Sequence, residues 1–87
     1  MDENVLDRLK IILRERDCPF FEDEELDFYF NENNGDFNDT AYQCLILKSQ
    51  DTSLILSGLE SSDTSKYFRR IAQKYRKNNS GILKGEW

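Results

Sequence analysis

The spacing of apolar residues divides the chain into four helical segments. The apolar positions of the first segment follow the i, i+3, i+4, i+7 pattern of an amphipathic helix and are Val5, Leu6, Leu9, Ile12 and Leu13. They predict a helix over residues 3–16, capped by Asp2 or Asn4. Pro19 disfavours helical backbone at the residue before it, so this helix should end ahead of the proline.

Two further helices are predicted between the proline and residue 50. The second should begin near Glu22–Asp23 and end near Asn31, since carboxylates stabilise a helix start and the following Asn-Asn-Gly tolerates left-handed backbone. Its apolar face is Leu26 and Phe30 with Tyr29, preceded by Phe20 or Phe21. Asp36 should cap the third helix, whose face at helical spacing is Phe37, Ala41, Cys44, Leu45 and Lys48.

The remainder of the chain contains one short β-compatible run and a last helix. Residues 54–56 read Leu-Ile-Leu, which fits a strand or an ordered loop. Ser61-Ser62-Asp63 should cap the fourth helix, whose apolar stripe is Phe68, Ile71, Ala72 and Tyr75. The sequence therefore predicts an all-α fold, a small bundle of about four helices with one extended segment near residues 53–57. Ala41 and Ile71 should be buried.

Length and cysteine usage narrow the class of protein. A chain of 87 residues forms one domain with a thin core. The two cysteines, Cys18 and Cys44, are too few for a secreted disulfide scaffold, and no signal peptide or bilayer-length apolar run is evident. We therefore expect a soluble, intracellular protein with free thiols, with Cys44 in the core.

The charges are strongly segregated along the chain. Residues 1–47 contain 4 bases and 13 acids, whereas residues 48–87 contain 8 bases and 4 acids, so the halves carry −9 and +4. Residues 22–39 hold eight carboxylates and no base, and residues 66–77 hold six bases and no acid. Such runs form solvated helix faces or complementary surfaces that bind a partner or another copy.

Little in the sequence points to catalysis or to a bound ion. The chain has no histidine, phosphate-binding glycine loop or CxxC pair, and residues 31–39 do not complete an EF-hand. We therefore predict no enzymatic activity, no cofactor and no metal. The bases and aromatic residues of the fourth helix could contact nucleic acid. However, its aromatic face is needed for the core and the pI is about 4.6, so we predict no specific nucleic-acid binding and no membrane association.

One part of the chain resembles the ubiquitin-associated type of small helical module. The resemblance covers residues 19–45, in which NNGDFNDTAYQCL (33–45) looks like the turn and third helix of that family. This resemblance implies the alternative function, a module that binds a protein through an apolar helix patch.

Nearly the whole chain resembles small head-completion, or head–tail connector, proteins of tailed bacteriophages and prophages. The matching segments, in order, are Pro19-Phe20-Phe21, Asp23-Glu24-Glu25-Leu26, Gly35-Asp36-Phe37-Asn38, Ala41-Tyr42, and Tyr67 to Ala72 continuing through Tyr75-Arg76-Lys77-Asn78 to Gly81-Ile82-Leu83. The resemblance implies a structural virion protein that joins the head, at its portal, to the tail as a ring oligomer. It implies localisation at the head–tail junction of the virion, and in the bacterial cytoplasm during assembly.

The two charged regions supply the candidate sites. We predict a helical connector domain over residues 1–78 and a C-terminal tail over 79–87, which is either docked on the domain or available to a partner. The candidate assembly interface, toward the portal, adjacent head–tail proteins or another copy, is Arg69, Arg70, Lys74, Arg76, Ile82, Leu83 and Trp87. The candidate acidic face is Glu22, Asp23, Glu24, Glu25, Asp27 and Glu32.

Overall fold

Four α-helices and a short 3₁₀ helix make up the part of the chain that the structure describes. The computed structural model describes residues 1–76. The elements are α1 (Glu3–Ile12), α2 (Asp23–Glu32), α3 (Phe37–Ser49), α4 (Ser61–Ala72) and a 3₁₀ helix (Gln73–Tyr75). Residues 1–76 contain no β-strand, so the run at 53–57 lies in a loop and the predicted small all-α bundle is confirmed. The predicted tail, 79–87, lies outside the described residues.

The starts of α1 and α3 follow the predicted caps. The Asp2 side chain accepts a hydrogen bond from the Asn4 N–H at 3.2 Å, and the Asp36 side chain accepts one from the Asp39 N–H at 2.9 Å. Each carboxylate satisfies an amide that has no partner within its helix. Local sequence is therefore sufficient to place both helix starts.

The start of α4 differs from its prediction, because the cap position is Glu60 rather than Ser61 to Asp63. The cause is the fully buried Thr64. Its hydroxyl donates to the Glu60 carbonyl at 2.9 Å and accepts from the Leu56 N–H at 2.9 Å. The first turn of α4 is thus joined to the preceding loop.

The end of α1 also differs from its prediction: the helix stops at Ile12, four residues before the predicted end. Arg14 adopts a left-handed φ of 56°. The N–H groups of Arg14 and Glu15 donate to the carbonyls of Ile11 and Lys10, the paired bonds of a Schellman stop. The left-handed backbone that the Asn-Asn-Gly sequence predicts after α2 is present at Asn34, with a φ of 56°, and at Gly35, with a φ of 76°.

Helix α3 is the centre of the fold because it contacts each of the other three α-helices. Within residues 1–76, α2 and α4 make no contact with one another. The apolar residues of the core are Leu9, Leu13, Cys18, Leu26, Ala41, Cys44, Leu45, Leu56, Phe68 and Ala72. Residues 1–76 form a flat body with dimensions of 36 × 30 × 16 Å, so its thickness accommodates only about two layers of helices.

The predicted burial of Ala41 is confirmed, and that of Ile71 is wrong. Ala41 is completely covered, whereas Ile71 is half-buried at the edge of the core. Among the described α-helices α4 packs only against α3, so full burial is confined to the α4 side chains nearest α3, Phe68 and Ala72. The rest of the predicted stripe is only partly covered.

This difference in burial predicts different costs for truncating two neighbouring side chains. Phe68→Ala should lower the free energy of unfolding by about 3–5 kcal/mol, because it leaves a cavity in a thin core. Ile71→Ala should lower it by clearly less, since its site is already partly hydrated. Urea unfolding followed by far-UV circular dichroism measures both. Equal losses would contradict this arrangement of α4.

Candidate functional site

A buried ion pair lies between α3 and the loop after α1. Lys48 is on the apolar face of α3, as its spacing predicted, and is completely buried. Its Nζ donates to Glu15 Oε2 at 2.6 Å and to the Leu13 carbonyl at 2.5 Å, and it lies 5.0 Å from the centroid of the Phe68 ring. The aliphatic stem of a lysine can pack in a core when its charged end is paired.

Glu15 connects this lysine to the aromatic segment of the loop. Its Oε1 accepts hydrogen bonds from the Phe20 N–H at 3.0 Å and the Phe21 N–H at 2.9 Å. The carboxylate therefore has a partner on each oxygen, as a buried charge requires. One side chain holds together α3 and the Pro19-Phe20-Phe21 segment.

The segment begins a chain of edge-to-face aromatic contacts, here called the aromatic cluster: Phe20, Phe21, Tyr29 and Phe28. Successive ring centroids are 4.8, 5.9 and 5.4 Å apart. Phe21 and Tyr29 are half-buried, whereas Phe20 is 38% exposed and Phe28 is 58% exposed. The two ends of the cluster therefore present aromatic surface to solvent.

The exposed Phe28 lies among the predicted acidic residues of α2. Glu24 and Glu32 are one turn before and after it, and both are exposed. The face that α2 presents here is called the acidic surface and is Glu24, Glu25, Phe28 and Glu32. This face of α2 therefore presents one exposed apolar ring between carboxylates.

The other predicted carboxylates of this face have local roles. Asp23 pairs with Lys10 at 3.0 Å, and Asp27 is half-buried and pairs with the N-terminal amine at 3.0 Å. Glu22 occupies the cap position of α2, where its N–H donates to the Glu25 carboxylate at 2.9 Å. These groups fix the start of α2 and its contact with α1.

The predicted bases lie on α4 and the 3₁₀ helix, on a face called the basic surface: Lys66, Arg69, Arg70 and Lys74. All four are exposed. Arg76, also exposed, follows the 3₁₀ helix. Ile82, Leu83 and Trp87 lie outside the described residues. The basic surface and the acidic surface are on helices that do not touch within residues 1–76.

The aromatic residues near the basic surface are used in packing. Phe68 is buried, and Tyr75 contacts Phe37 edge to face at 6.4 Å. Tyr67 is half-buried, with the guanidinium groups of Arg14 and Arg70 each 5.9 Å from its ring centroid. This packing leaves little aromatic ring surface on which the bases of a nucleic acid could stack.

An open groove separates α1 from the loop that follows it. Its apolar residues are Ile11, Pro19 and Phe21, and Ile11 is 72% exposed. Its charged rim holds both signs, in part as the Lys10–Asp23 and Arg14–Asp17 ion pairs. These charges do not favour a partner of either sign.

No group of three or more histidine, cysteine, aspartate or glutamate residues suited to hold a metal ion occurs in residues 1–76. No helix in that part of the chain is long and apolar enough to span a membrane.

Both cysteines are free thiols in buried positions. Burial, followed by the charges of Glu15 and Glu25, raises the pKa of Cys44 to about 12. Burial also raises the pKa of Cys18, although the nearby Lys48 charge acts in the opposite direction. The thiolate is the reactive form, so neither residue has the properties of a nucleophile at neutral pH.

No known protein family, curated protein or solved structure matches this chain. The features of the chain that bear on its function are therefore its own surfaces. These are an acidic surface with a central phenylalanine and a basic surface on a separate helix.

The buried ion pair predicts a large difference between two identical substitutions. Lys48→Met should lower the free energy of unfolding by about 3–5 kcal/mol, because it leaves the Glu15 carboxylate buried without its partner. Lys10→Met is the control: it removes an ion pair whose side chains are 40% and 60% exposed, and should change stability by at most about 1 kcal/mol. Denaturant unfolding of both variants measures the difference. Similar losses would contradict the structural role of the buried pair.

The raised thiol pKa values predict slow labelling and a specific pH dependence. In the native protein at pH 8, a maleimide should label Phe28→Cys rapidly, but Cys18 and Cys44 only after denaturation. The stability associated with Cys44 is complete below the unfolded pKa of about 9 and is lost as the pH rises toward about 12, because the unfolded thiol ionises first. Mass spectrometry of the labelled protein checks the predicted difference in labelling between Phe28→Cys and the two native cysteines. Rapid labelling of native Cys44 would show that α3 is not packed as described.

Proposed function

We propose that this chain is a structural component of a tailed-phage or prophage particle that joins the head, at its portal, to the tail as a ring oligomer. The observation that carries the proposal is the placement of opposite charges on α2 and α4, which do not touch in the described residues. A subunit with two complementary, separate surfaces can bind one neighbouring copy through the first surface and another through the second. Such contacts close into a ring when the rotation between neighbouring subunits permits.

The positions of the resembling segments support the same proposal. Pro19-Phe20-Phe21 enters the aromatic cluster, Asp23 to Leu26 begins α2, and Gly35 to Asn38 begins α3. Tyr67 to Ala72 forms the second half of α4, next to the basic surface. The segments on which the resemblance depends thus include the first turn of α2, the second half of α4 and the two aromatic residues of the loop, Phe20 and Phe21.

The alternative, a three-helix module of the ubiquitin-associated type, finds less support. In the described residues, the most extensive helix–helix contact is that between α3 and α4. Phe68 and Ala72 of α4 are fully buried there. A self-contained module that ended with α3 would leave uncovered the face of α3 against which α4 packs. Nothing in the three-helix motif requires a basic fourth helix.

The partners follow from the proposed role. They are the portal or an adjacent head–tail protein and further copies of the chain, in the virion and, during assembly, in the bacterial cytoplasm. The isolated protein should be monomeric or weakly associating, since exposed ion pairs contribute only about 0–1 kcal/mol each. The portal would then act as a template for ring closure.

The test is complementation of a gene deletion in the host or phage that encodes the chain. Deletion should yield DNA-filled heads and separate tails, and the wild-type gene should restore tailed particles that contain the protein. Electron microscopy and immunoblotting of gradient-purified particles give the readouts. The absence of the protein from particles, or normal tail joining in the deletion strain, would overturn the proposal.

A variant pair tests the basic surface within the same assay. Arg70→Glu combined with Lys74→Glu should reduce the yield of tailed particles. Where a variant keeps part of the positive charge of this surface, higher salt should weaken its binding further, because salt screens the attraction between charges over ~8–10 Å. Arg16→Glu, at an exposed position in the loop after α1, is the control. Normal head–tail joining by the double variant would show that the basic surface is only solvated.

A further inference from the structure

We propose that the acidic surface of one copy binds the basic surface of the next, with Phe28 against Arg70 at the centre and ion pairs on both sides. This contact rests on the proposed ring, to which it assigns the subunit interface. The same contact should form between copies of the isolated protein in solution, so it can be tested without a phage particle.

The acidic surface presents a stripe with a four-residue repeat. Glu24, Phe28 and Glu32 are spaced i, i+4, i+8 along α2, so their side chains lie on one face about 12 Å long. All three are exposed, and Phe28 retains 58% of its surface. The edge-to-face contact with Tyr29 at 5.4 Å supports the ring from one side. Its other side is open to a partner.

The basic surface presents a stripe with the same repeat. Lys66, Arg70 and Lys74 are spaced i, i+4, i+8 along α4 and the 3₁₀ helix, and all are exposed. The two stripes therefore match position by position: an apolar ring opposite a guanidinium in the middle, and carboxylates opposite ammonium groups at the ends. A guanidinium over a phenylalanine face is an attractive pair.

Charge complementarity favours a second copy as the partner, with the acidic surface of one copy against the basic surface of the other. Two acidic surfaces brought together would face four or more carboxylates with no base, and two basic surfaces would repel each other equally. Acidic against basic is the arrangement in which every charge of the stripes has a partner. It also uses two different surfaces of each subunit, so every bound copy leaves one of each free for the next.

The Lys48–Glu15 pair contributes indirectly by holding the aromatic cluster in place. Glu15 binds the Phe20 and Phe21 amides, Phe21 contacts Tyr29 at 5.9 Å, and Tyr29 contacts Phe28. The ring that would meet Arg70 thus rests on a support anchored in the core. Preorganisation of this kind lowers the ordering cost of binding.

The first experiment uses the native protein. A mixture of ¹⁴N- and ¹⁵N-labelled copies is treated with a carbodiimide, which joins carboxylates to lysines at zero length. Mass spectrometry should find mixed-isotope cross-links between Glu24 or Glu32 and Lys66 or Lys74. The pairing also reports the direction, because parallel stripes join Glu24 to Lys66 and antiparallel stripes join Glu24 to Lys74. Intermolecular cross-links confined to other positions, or none at all, would overturn the contact.

The second experiment exchanges the charges. Glu24→Lys with Glu32→Lys, and separately Lys66→Glu with Lys74→Glu, should each raise the concentration needed for association by about tenfold, since two ion pairs are lost. An equal mixture of the two variants should restore association, because each reversed surface now meets its complement. Asp7→Lys and Arg16→Glu, at exposed positions outside both stripes, are the controls. A mixture that associates no better than its components would overturn the proposal.

The two proposals fail separately. Cross-links in solution without incorporation into particles would support the contact and overturn the head–tail role. Incorporation into particles whose copies are not cross-linked through these stripes would overturn the contact and leave the head–tail role supported.

Discussion

The ion pair between Lys48 and Glu15 is the constraint on which the loop after α1 depends. Lys48 of α3 binds the Leu13 carbonyl and Glu15, and Glu15 binds the amides of Phe20 and Phe21, so α3 and both ends of the loop share one cluster of charge. A buried pair of this kind adds little net stability compared with apolar residues of the same volume, but the loss of either member leaves an uncompensated charge. Its contribution is to favour the observed arrangement of the loop, since moving Glu15 away would leave the Lys48 charge unpaired in the core.

The aromatic cluster and the acidic surface follow from that arrangement. With the loop in place, Phe21 supports Tyr29, and Tyr29 supports the exposed Phe28 on α2. In the C-terminal half of the chain, α4 packs only against α3 among the described α-helices, which leaves its lysine and arginine side chains in solvent. The central position of α3 thus separates the two charged helices. Charges that would otherwise neutralise each other within one subunit remain available to other molecules, which is the physical basis of the proposed assembly.

Much of the candidate site was predictable as a set of residues, but less so as an arrangement. The acidic and basic runs and the helices that carry them were evident from composition and periodicity. The sequence also placed Lys48 on an apolar face, which is the signal that a buried charge needs a partner. It did not identify Glu15, because the partner lies 33 residues away and no periodicity links them. Phe28 was likewise not singled out, since its exposure depends on which face of α2 the rest of the core covers.

The sequence by itself determined the helices, two of their caps and the all-α class, because these depend on interactions within a few residues: amphipathic spacing, Asp2 and Asp36 at helix starts, and Asn34 at a stop. Tertiary structure decided where those local preferences were overridden. Arg14 ends α1 early in left-handed backbone, where Glu15 turns inward to Lys48, and Thr64 moves the cap of α4 to Glu60 through its bond to Leu56. The incomplete burial of Ile71 was decided in the same way, by the absence of a second helix against α4 in the described residues. In each case a buried polar group or an uncovered face acts over a distance in sequence that no local pattern records.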